Sequence, residues 1–307
     1  MKILCINVRK GVGDQVIFLP YIHAISKKFN SKISLLAKKN SRALELFGDD
    51  PNIGEIIILE KNMDGIGGVF KLSNKLREKK YDKVFIFNSS LRYNMIARLA
   101  GINTIHQYPL FLKNNNIVYT AKDFTQSVTN QIVNTEPNLI INEKKINFDN
   151  SFKHICLGIS ASGPTKRWDI ENYIKLAEEL SKNKKCKFYL AGGENDLELI
   201  NKFKNSSAGK YAFSFENMKI NETLKYIYNC DLYIGNDTGW AHISVALNTK
   251  ALTLFCDSPV AAYGSYTNKM ITIEPEGIEI GTTTHNTLGK DKISFKKVLN
   301  KSLLLLD

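Results

Sequence analysis

The chain has few cysteines, and the five present (Cys5, Cys156, Cys186, Cys230 and Cys256) are odd in number and never spaced as CxxC. They sit in apolar, strand-like runs, so they read as reduced core thiols of a cytoplasmic protein rather than a disulfide framework or a zinc site. No apolar run is long enough for a membrane span. The first residues enter a strand directly, without a secretory-signal pattern, which gives the same expectation of a cytoplasmic location. Asp-x-Asp pairs are absent, so a carboxylate clamp for a divalent ion has no support, and no metal is expected. His23, His106, His154 and His285 lack metal-ligand spacing. A Ser-His-Asp order cannot be argued, and neither solenoid repeats nor heptads occur. Signatures of RRM, KH or helix-turn-helix modules are missing, and aromatics are not interleaved with the basic residues; nucleic acid is therefore not expected as a partner.

What the chain does have is positive charge: 42 Lys and Arg against 30 Asp and Glu, a formal net charge of +12. Such an excess suits an anionic partner, whether a phosphorylated substrate or an anionic membrane surface, although part of it lies at surface-like helix positions and serves solubility. With 307 residues, 43% of them hydrophobic, one large or two ordinary cores are affordable.

Strand-like runs recur at Ile3 to Val8, Ile33 to Ala37, Glu55 to Leu59 and Val84 to Phe87. Helical spacing separates them at Gln15 to Phe29, with a bend expected at Pro20, and at Ser41 to Phe47, Val69 to Lys80 and Leu91 to Ala100. A further helix is expected over Phe124 to Val133. Residues 134–153 are rich in Asn and Lys and read as a link, so we expect domains at 1–150 and 151–307. The alternation then restarts, with strands at His154 to Ile159, Lys187 to Ala191, Leu232 to Ile234 and Ala251 to Phe255. Helices are expected at Asp169 to Lys182, Leu197 to Phe203, Asn221 to Tyr228 and Ser294 to Leu306. The fold class is therefore α/β, with two successive doubly wound parallel-sheet units. Ligands of such sheets bind beyond the carboxyl ends of the strands, and for two facing units the natural place is the cleft between them.

Four loops at those ends can carry chemistry. Gly11-Val12-Gly13-Asp14 places a carboxylate at a helix start, either as a cap or as a general base. The loop lacks the third glycine and the later acid of a dinucleotide fingerprint. Ser160-Ala161-Ser162-Gly163-Pro164-Thr165-Lys166 sets hydroxyls and a cation before a helix, as a diphosphate would need, but without the spacing of a P-loop. Gly192-Gly193-Glu194 offers an acid for a ribose diol or for a helix dipole. Gly235-Asn236-Asp237-Thr238-Gly239-Trp240-Ala241-His242 reads as a strand broken at Gly235, followed by a capped helix start that suits an anion, with His242 just inside. Met218, between a short strand and a helix, reads as a core filler or as a face for an adenine ring.

Taken together, these segments resemble glycosyltransferase family 9, the ADP-heptose:lipopolysaccharide heptosyltransferase family. The resemblance rests on Gly13-Asp14 with Leu19-Pro20, Lys166-x-Trp168, Gly192-x-Glu194 and Asp237-Thr238-Gly239-x-x-His242. It implies a GT-B fold of two Rossmann-like domains facing across a cleft, the first for the acceptor and the second for a nucleotide sugar. It also implies inverting, metal-independent transfer from a nucleoside-diphosphate sugar, with ADP expected, and no further cofactor. By the same resemblance Asp14 is the base. Ser160, Ser162 and Lys166 hold the diphosphate, Lys166 also supporting the leaving group. Glu194 holds the ribose and Met218 the adenine, while Asp237, Thr238, Gly239 and His242 hold the diphosphate and sugar. The acceptor expected is an anionic glycolipid or glycan, reached from the cytoplasmic face of the inner membrane. Arg92, Arg98, Lys113 and Lys122 lie on the acceptor side without a recognisable pattern. A sugar-nucleotide 2-epimerase and a non-catalytic nucleotide-sugar-binding protein share the same architecture and are the alternatives.

Overall fold

A computed structural model describes residues 1–65, 67–111, 116–143 and 146–307, and the chain divides into two compact units, Met1–Ile140 and Ile141–Asp307. Lys113 lies outside the described residues. The division falls within the expected link, ahead of the boundary expected after residue 150. Residues beyond Ile140 pack on the second unit: Phe148 stacks on His154 and on Tyr189, with ring centroids 4.1 and 5.1 Å apart.

The first unit alternates β1 (Ile3–Ile6), α1 (Val12–Phe29), β2 (Ile33–Lys38), α2 (Ala43–Phe47), β3 (Ile53–Leu59), α3 (Gly68–Lys79), β4 (Lys83–Ile86), α4 (Leu91–Leu99), β5 (Thr104–Gln107) and α5 (Ile117–Thr129). The strands pair in parallel in the order β3-β2-β1-β4-β5. β1 is fully buried, as a strand with helices on both faces must be. α1 runs unbroken through the buried Pro20, where the sequence suggested a bend. α5 begins at Ile117, ahead of the expected Phe124. The Asn116 side chain accepts from the N–H groups of Val118 and Tyr119 and caps the helix, and Asn130, at φ 53°, ends it. The short edge strand β5 has no fully buried residue and carries too little apolar pattern to be read from sequence.

The second unit runs β6 (Lys153–Gly158), α6 (Ile170–Asn183), β7 (Cys186–Leu190), α7 (Leu197–Lys204), β8 (Ala212–Ser214), α8 (Ile220–Tyr228), β9 (Leu232–Asn236), α9 (Gly239–Ala246), β10 (Ala251–Leu254), α10 (Val260–Tyr263), β11 (Met270–Ile273) and α11 (Phe295–Leu306). Its strands are parallel in the order β11-β10-β9-β6-β7-β8. Both sheets thus reverse direction beside their first strand, at β1/β4 and at β6/β9, and these are the points where a doubly wound sheet opens a crevice for ligand.

Gly235 does not break β9, as the sequence suggested; it lies within the strand, paired with Gly158 of β6. A Cβ on Gly235 would lie 2.5 Å from the Cα of Gly158, and one on Gly158 would lie 1.8 Å from the Tyr233 hydroxyl oxygen. The two glycines let β6 and β9 and the buried Tyr233 come together at the switch point. All five cysteines are buried and unbridged. Burial pushes the Cys186 thiol up to about 11 and the Cys256 thiol up to about 12.

Candidate active site

In the second unit, the expected residues fall on the carboxyl ends of four adjacent strands. Asp237, Thr238, Gly239 and His242 follow β9, Ser160, Ser162 and Lys166 follow β6, Glu194 follows β7 and Met218 follows β8. Hydrogen bonds tie these loops to one another. The Asn236 side chain, fully buried at the end of β9, accepts from the Trp168 N–H at 2.9 Å and donates to the carbonyls of Gly158, Ile159 and Ser160. The Ser160 N–H donates to the carbonyl of Ala191, beyond β7, at 3.4 Å. Arg167 pairs with Asp196 at 3.4 Å, and Asp196 accepts from the Gly193 N–H, which joins the Lys166 loop to the Glu194 turn. Phe215 links β8 back to Leu190 through its N–H.

At the start of α9, Thr238 occupies the capping position with extended backbone, but its side chain makes no capping bond. The cap expected there is thus not made, and the dipole end of an eight-residue helix faces the same edge as Lys166. His242 is buried. One ring nitrogen lies 2.7 Å from the Tyr266 hydroxyl and the other 3.5 Å from Asp237 Oδ1, so the ring is oriented from both sides.

Lys166 is half-buried, and its ammonium has no hydrogen bond or ion pair among the described residues. Its ammonium bears on Asp257. Burial alone would raise the Asp257 carboxyl, but the Leu288 N–H, the Thr165 hydroxyl at 2.7 Å and the Lys166 charge hold it below the ordinary carboxylate value. Ser162 and Glu194 are exposed, and Met218 is half-buried.

Asp14 belongs to the first unit, in the third position of α1 beyond β1. Its Oδ2 accepts from the Gly11 N–H at 3.3 Å, so the carboxylate closes the helix start. On the acceptor side, Arg92 ties α4 to the turn ahead of α3 by donating to the carbonyls of Gly65 and Met63, and Arg98 donates to Asn94.

Sequence reasoning missed Asn236 and Asp257. Asn236 had a signal, since it adjoins Asp237 at the strand end. Asp257 had a weaker one, an acid just past an apolar strand. Among the described residues, no group of three or more His, Cys, Asp or Glu side chains is placed to hold a metal ion.

The family model described as glycosyltransferase family 9 (heptosyltransferase) matches residues 107–280. The chain is 22% identical over 292 residues to lipopolysaccharide heptosyltransferase 2 of Escherichia coli, covering 83% of this chain and 82% of that protein. It is 27% identical over 278 residues to lipooligosaccharide heptosyltransferase 2 of Campylobacter jejuni, covering 83% and 81%. Its fold superposes on the structure of the Escherichia coli ADP-heptose lipopolysaccharide heptosyltransferase II with a TM-score of 0.77 at 22% identity, covering 100% of this chain and 98% of that one.

Proposed function

The chain belongs to glycosyltransferase family 9, and from that premise we propose that it moves a heptose from ADP-heptose onto the core of a lipopolysaccharide or lipooligosaccharide. The relatives' names supply this donor and acceptor. The observation that carries the reading is the order of the loops. Across the sheet the strands run β9-β6-β7-β8. Their loops therefore offer, in sequence, an anion-binding helix start, a cation with hydroxyls, a carboxylate and a thioether. An ADP-sugar laid along that edge presents sugar, diphosphate, ribose and adenine in the same order. Three strand spacings span roughly 15 Å, which is the scale of such a molecule.

On this reading Asp237, Thr238, Gly239 and His242 hold the sugar and diphosphate. Ser160, Ser162 and Lys166 take the diphosphate oxygens, Glu194 takes the ribose hydroxyls and Met218 lies on the adenine. Asp14 takes the proton of the acceptor hydroxyl as its oxygen forms a bond to the anomeric carbon. The bond from that carbon to the diphosphate breaks, and ADP leaves with the electron pair. Attack from the opposite face inverts the anomeric configuration. Lys166 and the first N–H groups of α9 meet the charge that develops on the leaving oxygen, the role a metal ion plays in other transferases. Metal independence is part of the proposal.

The first unit is the acceptor domain and the second the donor domain. On this reading the enzyme works in the cytoplasm, and the excess of basic residues supports loose contact with the anionic inner membrane. Among the described residues, no helix is long and apolar enough to cross a membrane.

Mass spectrometry of reactions with ADP-heptose, GDP-sugars and UDP-sugars tests the reading. Heptose should pass from ADP-heptose to a core-truncated lipooligosaccharide. Release of a free epimerised nucleotide sugar instead would overturn it.

A further inference from the structure

Six arginines occur in the chain, and five of them are engaged. Arg42 donates to Glu45, Arg77 to Asn74 and the Leu99 carbonyl, Arg92 to the carbonyls of Gly65 and Met63, Arg98 to Asn94, and Arg167 pairs with Asp196. Arg9 is the exception. Its guanidinium has no hydrogen bond or ion pair among the described residues, and its Nε is shielded from solvent without a partner.

The side chain is nonetheless fixed. Its guanidinium carbon lies 4.7 Å from the ring centroid of Phe18 and 5.9 Å from that of Tyr108, both rings fully buried. The backbone is fixed as well. Gln15, fully buried, donates from Nε2 to the carbonyls of Asn7, at 3.0 Å, and Arg9, at 3.5 Å, while Asn7 donates back to Gln15. Arg9 thus sits on an aromatic floor at the β1/β4 switch point of the first unit, on the loop that leads into α1 and its Asp14.

A guanidinium cannot shed its charge, and its donors form a planar fork matched to the oxygens of a phosphate or carboxylate. Holding it in place with its donors unused spares the entropy of ordering it when an anion arrives. We propose that Arg9 binds an anionic group, a phosphate or a carboxylate, on the acceptor glycan, and so sets acceptor specificity. This rests on the acceptor role proposed above for the first unit.

The test uses an O-deacylated, core-truncated lipooligosaccharide as acceptor in three forms: native, freed of phosphates, and with its carboxylates reduced. Arg9→Ala should raise the KM for the native acceptor by roughly tenfold or more, leaving kcat and the KM for ADP-heptose unchanged. Arg9→Lys should recover part of the loss. On the form lacking the group that Arg9 reads, wild type should fall to the level of the variant, and that form tells phosphate from carboxylate. Equal losses on all three acceptors, or a matching rise in the donor KM, would overturn the proposal. Arg9→Gln, which keeps most of the cover over Phe18, serves if the alanine variant melts early. Calorimetry of the same three acceptors without donor separates the two readings. Charge-dependent binding that needs Arg9, with no transfer by wild type, would sink heptosyl transfer and leave Arg9 assigned. Wild-type binding that is absent or indifferent to acceptor charge would sink the assignment of Arg9.

Discussion

Asn236 accepts the backbone N–H of Trp168 at 2.9 Å, 68 residues away in the chain, and so fixes the loop that carries Lys166 to the end of the strand that leads into Asp237. Trp168 itself is buried, with its ring edge-on to Tyr173. Asn236→Ala would leave a buried N–H and three carbonyls without this partner, at a cost of about 1–3 kcal/mol for the unpaired donor. We expect a lower Tm and a raised KM for the nucleotide sugar, measured by thermal melting and initial rates. A variant with unchanged donor KM would mean that this bond stabilises the fold without shaping the site.

Asp14 has a structural duty as well as the proposed chemical one, since it accepts the Gly11 N–H. Asp14→Asn keeps an acceptor oxygen for that bond and loses the basicity. Transfer should fall by roughly a hundredfold to ten-thousandfold while ADP binding and Tm hardly change. Activity near wild type in this variant would reduce Asp14 to a helix cap.

Lys166→Ala should cost roughly a hundredfold to a thousandfold in kcat, as the loss of one charge-stabilising donor does. ADP should raise the Tm of wild type in the presence of a chelator, and less so in the variant. A strict need for magnesium, or a loss confined to the acceptor KM, would reassign the loop.

Acid should unfold the chain through its depressed carboxyls. For Asp257, burial acts to raise the pKa, but the Leu288 N–H, the Thr165 hydroxyl and Lys166 outweigh it; for Asp50, burial is outweighed by His23 and Asn52. Both stay below the ordinary 3.8. A carboxyl that is depressed only in the folded state contributes stability that is fully present above 3.8 and is lost as pH falls through the depressed value. Urea unfolding from about pH 6 to about pH 3 should therefore show falling stability at the acid end. Asp257→Asn should flatten that fall, and an unaltered slope would remove Asp257 as a contributor.

Much of this was legible before any coordinates. The buried runs Ile3–Ile6 and 232–234 declare doubly covered strands because helices on both faces demand continuous apolar sequence, although β9 itself runs on through Gly235 to Asn236. Gly13-Asp14 and Asp237-Thr238-Gly239 declare loops at strand ends, because glycine, cap residues and helical spacing are local properties of the chain. The short edge strands β5 and β11 went unread; each has only four residues, and β5 has none fully buried. The early start of α5 was hidden in the side-chain cap of Asn116.

By itself, then, the sequence determined the α/β alternation, the excess of positive charge and the residue types available at each strand end. Tertiary structure alone decided that β9 lies beside β6, and with it the order in which the site loops stand along the sheet. It alone decided that Asn236 ties those loops together, that Asp257 holds Thr165 of the loop after β6, and that, among the described residues, Arg9 is the one arginine whose guanidinium has no hydrogen bond or ion pair. Local sequence sets backbone preference over a few residues, whereas partners such as Trp168 and Asn236 become neighbours only when separate strands are laid side by side.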